Sequence, residues 1–226
     1  MHPQQNKLNN KKILIMTYYL VTNENNITFP QKTIEINQSY TEQNPNYVFQ
    51  LYKDLYTAKF IQPTLEGIQN PKFWLVKANG IRKRNILRDS FSSCSIIKEE
   101  DPTLPTDEQY FNFAAIMCAN YVVNKVFTQW LLDYLEGKDK SPDTANAMIE
   151  KMRLQSYMDI PLEESYLAPT YALFNSIITQ DFKKHCSISA YKMISDAPSN
   201  LQVEKFALAA VKNNTEQIYK MIKDSI

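Results

Sequence analysis

The chain has 226 residues, 44% of them hydrophobic and 12% aromatic, and its formal net charge is +1. This composition is typical of a folded globular protein, and the length allows a substantial core without disulfides or metals. Only three glycines (Gly67, Gly80 and Gly137) and two histidines (His2 and His185) occur. Their scarcity and wide spacing exclude glycine-rich phosphate loops and nucleophile elbows, which need several nearby positions without a Cβ atom.

The charge distribution and the cysteine content limit which partners and which cellular compartment are expected. Residues 1–100 hold 13 Lys/Arg and 8 Asp/Glu, a balance of +5, whereas residues 101–226 hold 12 and 16, a balance of −4. Neither half is basic enough to require a nucleic acid. Because Cys94, Cys118 and Cys186 form no disulfide framework, we expect free thiols in a reducing, cytoplasmic compartment. No apolar stretch reaches the roughly 20 residues of a membrane span.

The first elements along the chain are predicted to be short strands and one helix. Polar residues 1–10 predict an N-terminal arm, and the run Ile13–Val21 predicts a buried strand. Alternating residues 27–36 predict a second strand or an edge hairpin. The segment Asn46–Ile61 predicts a helix that Pro63 ends. The apolar stripe of this helix consists of Val48, Leu51, Tyr52, Leu55 and Ala58.

A strand, a tight turn and a polar segment are predicted next. Phe73–Ala78 has the pattern of a strand, and Asn79-Gly80 is the two-residue signal of a β-hairpin. Ile81–Leu87 then forms the returning strand or, alternatively, part of a short helix through Phe91. The polar residues 92–105 predict a boundary between two regions of the chain.

Beyond this boundary the pattern is helical. A capping box of Thr106 and Gln109 begins a helix that is predicted to run unbroken to Glu136, with Gly137 as its left-handed cap. Pro142 is predicted to begin the next helix. Later signals are a turn or one-turn helix between Pro161 and Pro169, a helix whose stripe runs from Leu173 to Phe182, a capping box at Ser199–Gln202 and a cap at Thr215.

The predicted fold is therefore α+β and predominantly helical. A small N-terminal sheet with one or two helices is followed by a C-terminal helical bundle, because strands and helices are segregated along the chain. We place an α+β region with its polar arm at residues 1–101 and the bundle at residues 102–226. The two regions can pack as one body.

The first candidate interaction site is the basic hairpin around Gly80. Its side chains are Trp74, Lys77, Arg82, Lys83, Arg84 and Arg88. Arginine supplies bidentate donors for phosphates, and a tryptophan can stack on a base, so a nucleic acid is one candidate partner. An acidic protein partner and a simply solvated turn are the alternatives, because a run of charge is weak evidence by itself.

The second candidate is the predicted helix over residues 106–136, which is apolar on nearly every face. Such a helix has to be buried on all sides. Either it forms the centre of a bundle, or another protein covers one of its faces. The candidate interface residues are Phe111, Tyr121, Phe127 and Trp130.

A catalytic site and a metal site are only weakly indicated. Asp181 and His185 are four residues apart, so on a helix the carboxylate could orient the imidazole, with Cys94 or Cys118 as the nucleophile. The sequence around these cysteines carries no oxyanion-hole loop. Metal binding fails on ligand count, because His185-Cys186 is a single neighbouring pair. We predict no cofactor, no metal and no small-molecule substrate.

These observations favour a non-enzymatic adaptor or structural subunit of a larger intracellular assembly of different proteins. The Lys- and Asn-rich composition suggests a low-GC genome, and an accessory component of a bacterial secretion machine would be one such role. The alternative function is a nucleic-acid-binding module that uses the hairpin around Gly80. A cysteine-dependent enzyme is the third hypothesis.

Overall fold

The computed structural model describes residues 17–25, 27–28, 32–44, 47–122, 124–138, 140–158, 164–196 and 202–225. Its strands are β1 (Thr17–Thr22), β2 (Ile27–Thr28), β3 (Lys32–Thr33), β4 (Ser39–Thr41), β5 (Phe49–Tyr52), β6 (Lys72–Lys83) and β7 (Arg88–Glu100). Its helices are α1 (Leu55–Leu65), α2 (Asp107–Tyr121), α3 (Lys125–Leu135), α4 (Pro142–Met158), α5 (Glu164–Thr179), α6 (Phe182–Asp196), α7 (Val203–Lys212) and α8 (Thr215–Lys223). The predicted α+β, mostly helical class is confirmed, whereas the predicted arm 1–10 lies outside the described residues.

The main sheet closes on itself to form a small barrel. All of its pairings are antiparallel: β1 pairs with β5 and β6, and β7 pairs with β4, β5 and β6. The contact between β6 and β7 completes the ring β1–β5–β7–β6. Strands β2 and β3 form a separate two-stranded hairpin within the segment where an edge hairpin is predicted.

Two hydrophobic cores lie on opposite faces of the barrel strands. The inner face forms the barrel core, which consists of Tyr18, Leu20, Ile34, Phe49, Leu51, Trp74, Val76, Phe91, Cys94 and Ile96. The outward side chains of Val21, Tyr52 and Phe73 join a larger helical core. Because successive side chains of a strand point to opposite faces, strands buried on both faces lack a clear alternation of polar and apolar residues.

Helix α1 starts later than predicted. The predicted helix over residues 46–61 is wrong in its first half, because Phe49–Tyr52 form strand β5. Asp54 is the N-cap, and its carboxylate accepts a hydrogen bond from the Thr57 N–H at 2.7 Å. Pro63 does not end the helix but lies inside it.

Pro63 is tolerated in α1 because another donor replaces its missing N–H. A residue at position 63 of a regular helix would donate to the carbonyl oxygen of Lys59. The Tyr110 hydroxyl donates to that oxygen instead, at 3.1 Å. Ser187 Oγ similarly donates to the Phe60 carbonyl oxygen at 2.6 Å. These bonds join α1 to α2 and α6, so the first helix packs with the later ones.

The hairpin of β6 and β7 is longer than predicted. Asn79-Gly80 lies inside β6, and the chain turns at residues 84–87 instead. Both predictions for Ile81–Leu87, a returning strand and a short helix, are therefore wrong, because residues 81–83 still belong to β6 and the returning strand begins at Arg88. The predicted boundary at 92–105 is also wrong over its first half, because β7 continues to Glu100. Its serines at positions 92, 93 and 95 lie between Phe91, Cys94 and Ile96 of the barrel core, which explains a strand of polar composition.

The predicted helix over residues 106–136 is two helices. The capping box is confirmed: Thr106 Oγ1 accepts from the Gln109 N–H at 3.3 Å, and Gln109 Oε1 accepts from the Thr106 N–H at 2.8 Å. The backbone of Val122 is extended. Asn124 then caps α3, accepting from the N–H groups of residues 126 and 127 at 3.0 Å. The apolar residues are therefore divided between two shorter helices.

The later boundaries agree with the sequence in part. Gly137 has a φ of 76°, as expected of a left-handed cap, and Pro142 begins α4. Pro169 lies inside α5, so the turn predicted up to that residue is wrong in its second half. Phe182 belongs to α6 rather than to the preceding helix.

The last helix begins one residue earlier than predicted, because its cap is Asn214 and not Thr215. Asn214 is the N-cap of α8 and accepts from the Gln217 N–H at 3.0 Å, so Thr215 is the first helical residue. The capping box predicted at 199–202 includes residues 199–201, which lie outside the described residues. Within the described part of the chain, no helix is both long and apolar enough to cross a membrane.

Candidate interaction site at the hairpin tip

The end of the β6–β7 hairpin carries an exposed cluster of cations. We call residues 77–85 the hairpin tip; its basic side chains are Lys77, Arg82, Lys83 and Arg84, all exposed. None of these four forms an ion pair or a side-chain hydrogen bond with another described residue. Ile81 lies among them and is 44% exposed. The tip therefore presents exposed positive charge on both sides of one exposed apolar residue along the chain.

A buried carboxylate holds the base of the turn. Asp89 accepts hydrogen bonds from the Tyr18 hydroxyl at 3.4 Å and from the Asn85 N–H at 3.1 Å. Lys53 Nζ lies 3.4 Å from the same carboxylate and donates to the Asn85 carbonyl oxygen at 2.7 Å. Burial, together with the negative charge of Asp89, raises the pKa of Tyr18, so its hydroxyl remains a donor at neutral pH.

Gly80 shapes the strand that leads into the turn. Its φ is +68°, and a Cβ atom at this position would lie 2.1 Å from Ser92 Oγ on the paired strand. A positive φ disfavours most residues that carry a Cβ atom, and the close approach of Ser92 adds to the requirement for glycine. The register between β6 and β7 shifts nearby, between Ile81 and Lys83, so the pairing departs from a regular ladder where the run from Arg82 to Arg84 begins.

Two members of the predicted basic hairpin do not face solvent with the others. Trp74 is 2% exposed in the barrel core, and its indole N–H donates to Thr22 Oγ1 at 2.9 Å. In this conformation its ring is not accessible for stacking on a base. Arg88 donates to Gln62 Oε1 at 3.1 Å and pairs with Glu66 at 3.2 Å, so it links β7 to α1.

The aromatic residues of the second candidate lie mainly in the helical core. Phe111, Phe127 and Trp130 are buried there, and Tyr121 is partly buried against it. Trp130 packs against Phe174 of α5, with 4.8 Å between the ring centroids. The break between α2 and α3 explains this placement, because two shorter helices bury faces that one long helix would leave open to a partner.

The proposed catalytic residues do not form a reactive centre in this structure. Asp181 accepts from the backbone N–H of Lys184 at 3.2 Å at the start of α6. All three cysteines are free and buried. Burial raises the pKa of Cys94 and of Cys118 to about 12, whereas a nucleophilic cysteine needs a lowered pKa. Among the described residues, no three His, Cys, Asp or Glu side chains gather as metal ligands would.

Sequence reasoning does not identify Ile81 as part of the tip or Asp89 as the group that holds the base of its turn. The apolar pattern places Ile81 in a returning strand, and a lone aspartate after Arg88 carries no motif. One available signal is the run of three successive cations, Arg82 to Arg84, which indicates a solvent-exposed segment rather than a strand that returns to a core.

Comparisons of this chain with protein-family models, with curated proteins and with solved structures find no match.

Proposed function

We propose that this protein is a non-enzymatic binding subunit of a larger protein assembly, and that the hairpin tip docks on an acidic surface of a partner protein. One observation carries the proposal: four exposed cations without an ion-pair partner among the described residues flank the exposed Ile81 along the chain. The free thiols are in keeping with a reducing compartment such as the cytoplasm.

The mixture of charge and apolar surface favours a protein partner. Charged groups steer association and fix the orientation of a complex, while an apolar side chain at the centre supplies burial. Ile81 could fill a small pocket of the partner while Arg82 and Arg84 pair with carboxylates around it.

A nucleic acid is the alternative partner, supported by the same cations. Arginine and lysine neutralise phosphates and release counterions, so such binding would weaken steeply as salt rises. Trp74, the ring predicted to stack on a base, is buried, and so are the other two rings of the hairpin, Phe73 and Phe91. This alternative therefore rests on charge alone.

The test is affinity capture of the tagged protein from its native host, with two charge-matched variants. The tip variant is Arg82→Glu, Lys83→Glu and Arg84→Glu. The control variant is Lys205→Glu, Lys212→Glu and Lys220→Glu, which changes three exposed lysines of α7 and α8. Captures are made at about 0.15 M and about 0.5 M salt, with and without nuclease. Contacts between exposed charges weaken at the higher salt concentration, whereas apolar contacts persist. Nuclease removes any partner that is held through a nucleic acid.

We expect a stoichiometric set of proteins with the wild type and the control variant, insensitive to nuclease. The tip variant should recover at least about tenfold less of this set, because charge reversal repels an acidic surface. Equal recovery with the tip variant would remove the tip from the function. Recovery of nucleic acid without a protein set, and its loss at the higher salt concentration, would contradict the protein-partner proposal and support nucleic-acid binding.

A further inference from the structure

A second concave site lies on the helical side of the molecule, away from the hairpin tip. A cleft of about 370 Å³ opens between the first turns of α2 and α8, the end of α3 and the start of α6. This volume is in the range of small-molecule sites. Three aromatic rings form its wall: the centroid of Phe111 is 4.4 Å from that of Tyr134 and 6.3 Å from that of Phe182. Leu135 and Ile218 extend the apolar surface.

The polar groups of the cleft are mainly acceptors. Asp107 and Glu108 stand exposed at its rim. Asn112 is buried and donates through Nδ2 to Asn213 Oδ1 at 2.7 Å, which leaves its own carbonyl oxygen without a donor among the described residues. First-turn carboxylates complement a helix dipole, so by themselves Asp107 and Glu108 would indicate nothing more.

Tyr134 is the observation that points to a ligand. Its side chain is only 8% exposed, it lines the cleft, and its hydroxyl has no hydrogen-bond partner in the described part of the chain. The hydroxyl oxygen is not one of the described side-chain atoms that are both sealed from solvent and without a partner, so a group that enters the cleft can reach it. Burial raises the pKa of Tyr134 to about 12, so the hydroxyl is neutral and can both accept and donate.

The position of Lys140 indicates that the aromatic wall of the cleft attracts a positive charge. Its ammonium group lies 5.4 Å from the centre of the Tyr134 ring, within the distance at which a cation is attracted by an aromatic face. No described carboxylate pairs with it. The chain thus places one of its own ammonium groups against the aromatic wall, beside the acceptors at the rim.

We propose that this cleft binds a primary alkylammonium group, which takes the place of the Lys140 ammonium against Tyr134. The three N–H donors of the ligand match the Tyr134 hydroxyl and the carboxylates of Asp107 and Glu108. Its alkyl chain lies against Phe182 and Leu135. An anionic ligand fits less well, because two carboxylates face a single lysine. This site is independent of the function proposed for the hairpin tip.

The binding test is a titration of isotope-labelled protein followed by amide resonances, at constant ionic strength. The probes are n-butylammonium, butyrate and n-butanol, which share a chain and differ in charge. We expect n-butylammonium to shift the first turns of α2 and α8 with a Kd of roughly 1 mM, typical of so small a ligand. Butyrate or butanol binding as tightly as the amine would overturn the proposal.

Three variants test the assigned groups. Tyr134→Phe keeps the ring and should weaken n-butylammonium binding about tenfold, because a hydrogen bond to a charged group is lost. Lys140→Ala should tighten it about threefold to tenfold, because a competing like charge is removed. The control Lys138→Ala, on the same loop but paired with Asp133 and Glu136, should change it little. Weaker binding by Lys140→Ala would contradict a cation site.

A free amine and a lysine side chain present the same group, so two further probes separate these sources. Spermidine represents the free amines, and acetyl-Ala-Lys-Ala-amide represents a lysine in a peptide. The probe that binds more tightly identifies the source of the ammonium group. Tyr134→Phe should weaken the binding of that probe as well. Failure of both probes, with n-butylammonium also silent, would overturn the proposal while leaving the capture experiment on the hairpin tip untouched.

Discussion

The barrel core and the helical core use the same strands but are built differently. The barrel core is small, contains buried polar pairs such as Trp74 with Thr22, and is assembled by pairing strands that are distant in sequence. The helical core is larger, and its helices use caps that lie next to them in the sequence. Because Val21, Tyr52 and Phe73 project from barrel strands into the helical core, the helical core is not complete without the barrel strands.

The largest effect should come from emptying either core. Phe49→Ala in the barrel core and Phe113→Ala in the helical core each remove a fully buried ring. Each should lower the free energy of unfolding by about 3–5 kcal/mol. Since the strands belong to both cores, we expect one cooperative transition in urea for both variants.

The two tryptophans allow this coupling to be measured core by core. Trp74 lies in the barrel core and Trp130 in the helical core. Fluorescence of Trp130→Phe reports the barrel, fluorescence of Trp74→Phe reports the helices, and circular dichroism reports the helical content of both. In the Phe49→Ala background, loss of the barrel signal at lower urea than the helical signal would show that the cores unfold independently.

Alkaline pH should weaken both cores through their thiols. The pKa values of Cys94 in the barrel core and Cys118 in the helical core are raised from 9.0 to about 12 by burial. The folded state therefore keeps protons that the unfolded state loses, and stability falls as pH rises above 9. The slope should approach about 1.4 kcal/mol per pH unit for each thiol.

Urea denaturation in steps above pH 9 measures this slope. Cys94→Ala and Cys118→Ala should each remove about one thiol's share. Cys186 is also buried in the helical core with a raised pKa, so it contributes a further share. In the native protein at neutral pH, both thiols should react slowly with a disulfide reagent. Rapid reaction of either thiol there, or a stability that does not change with pH, would contradict the burial of these groups.

A smaller effect should follow from removing one hydrogen bond between α1 and α2. Tyr110→Phe leaves the Lys59 carbonyl oxygen without its donor, which should cost about 1–3 kcal/mol in the free energy of unfolding. Adding Pro63→Ala restores an N–H at the position that normally serves this oxygen. The double variant should therefore recover part of the loss, measured by urea denaturation.

The exposed Tyr47 supplies the control for this pair. Tyr47→Phe removes a hydroxyl from a side chain that is largely in solvent and should leave stability nearly unchanged. The Tyr110 hydroxyl does not compensate for the proline if Tyr110→Phe leaves the free energy of unfolding unchanged. The same conclusion follows if the double variant with Pro63→Ala is less stable than Tyr110→Phe alone.

The sequence predicts the segregated α+β architecture well because that depends on local pattern. The capping box at Thr106 and the proline at position 142 are local signals with local consequences. The predicted helix over 46–61 fails because apolar residues at 48, 51, 52, 55 and 58 satisfy a helical period while the first three belong to a strand region. Asp54, an N-cap residue, was the signal that separates the two.

The candidate site was predictable only in its charge. The cations from Lys77 to Arg84 are evident in the sequence, whereas the burial of Trp74 and the inward contacts of Arg88 depend on strand register and on α1. The position of the turn also depends on register, because Asn79-Gly80 is a strong local signal that long-range pairing overrides. The cleft at Tyr134 needs four helices to meet, and no local pattern encodes it.

The carboxylate of Asp89 has a kinetic consequence for any partner of the hairpin tip. It fastens the turn to the barrel through Tyr18 and the backbone N–H of Asn85, so the tip has little freedom left to lose when it docks. The entropy cost of association then comes mainly from fixing the orientation of the two proteins and only to a small extent from ordering a loop. A partner of opposite charge should meet this preformed tip quickly at low salt and more slowly as ions screen the approach.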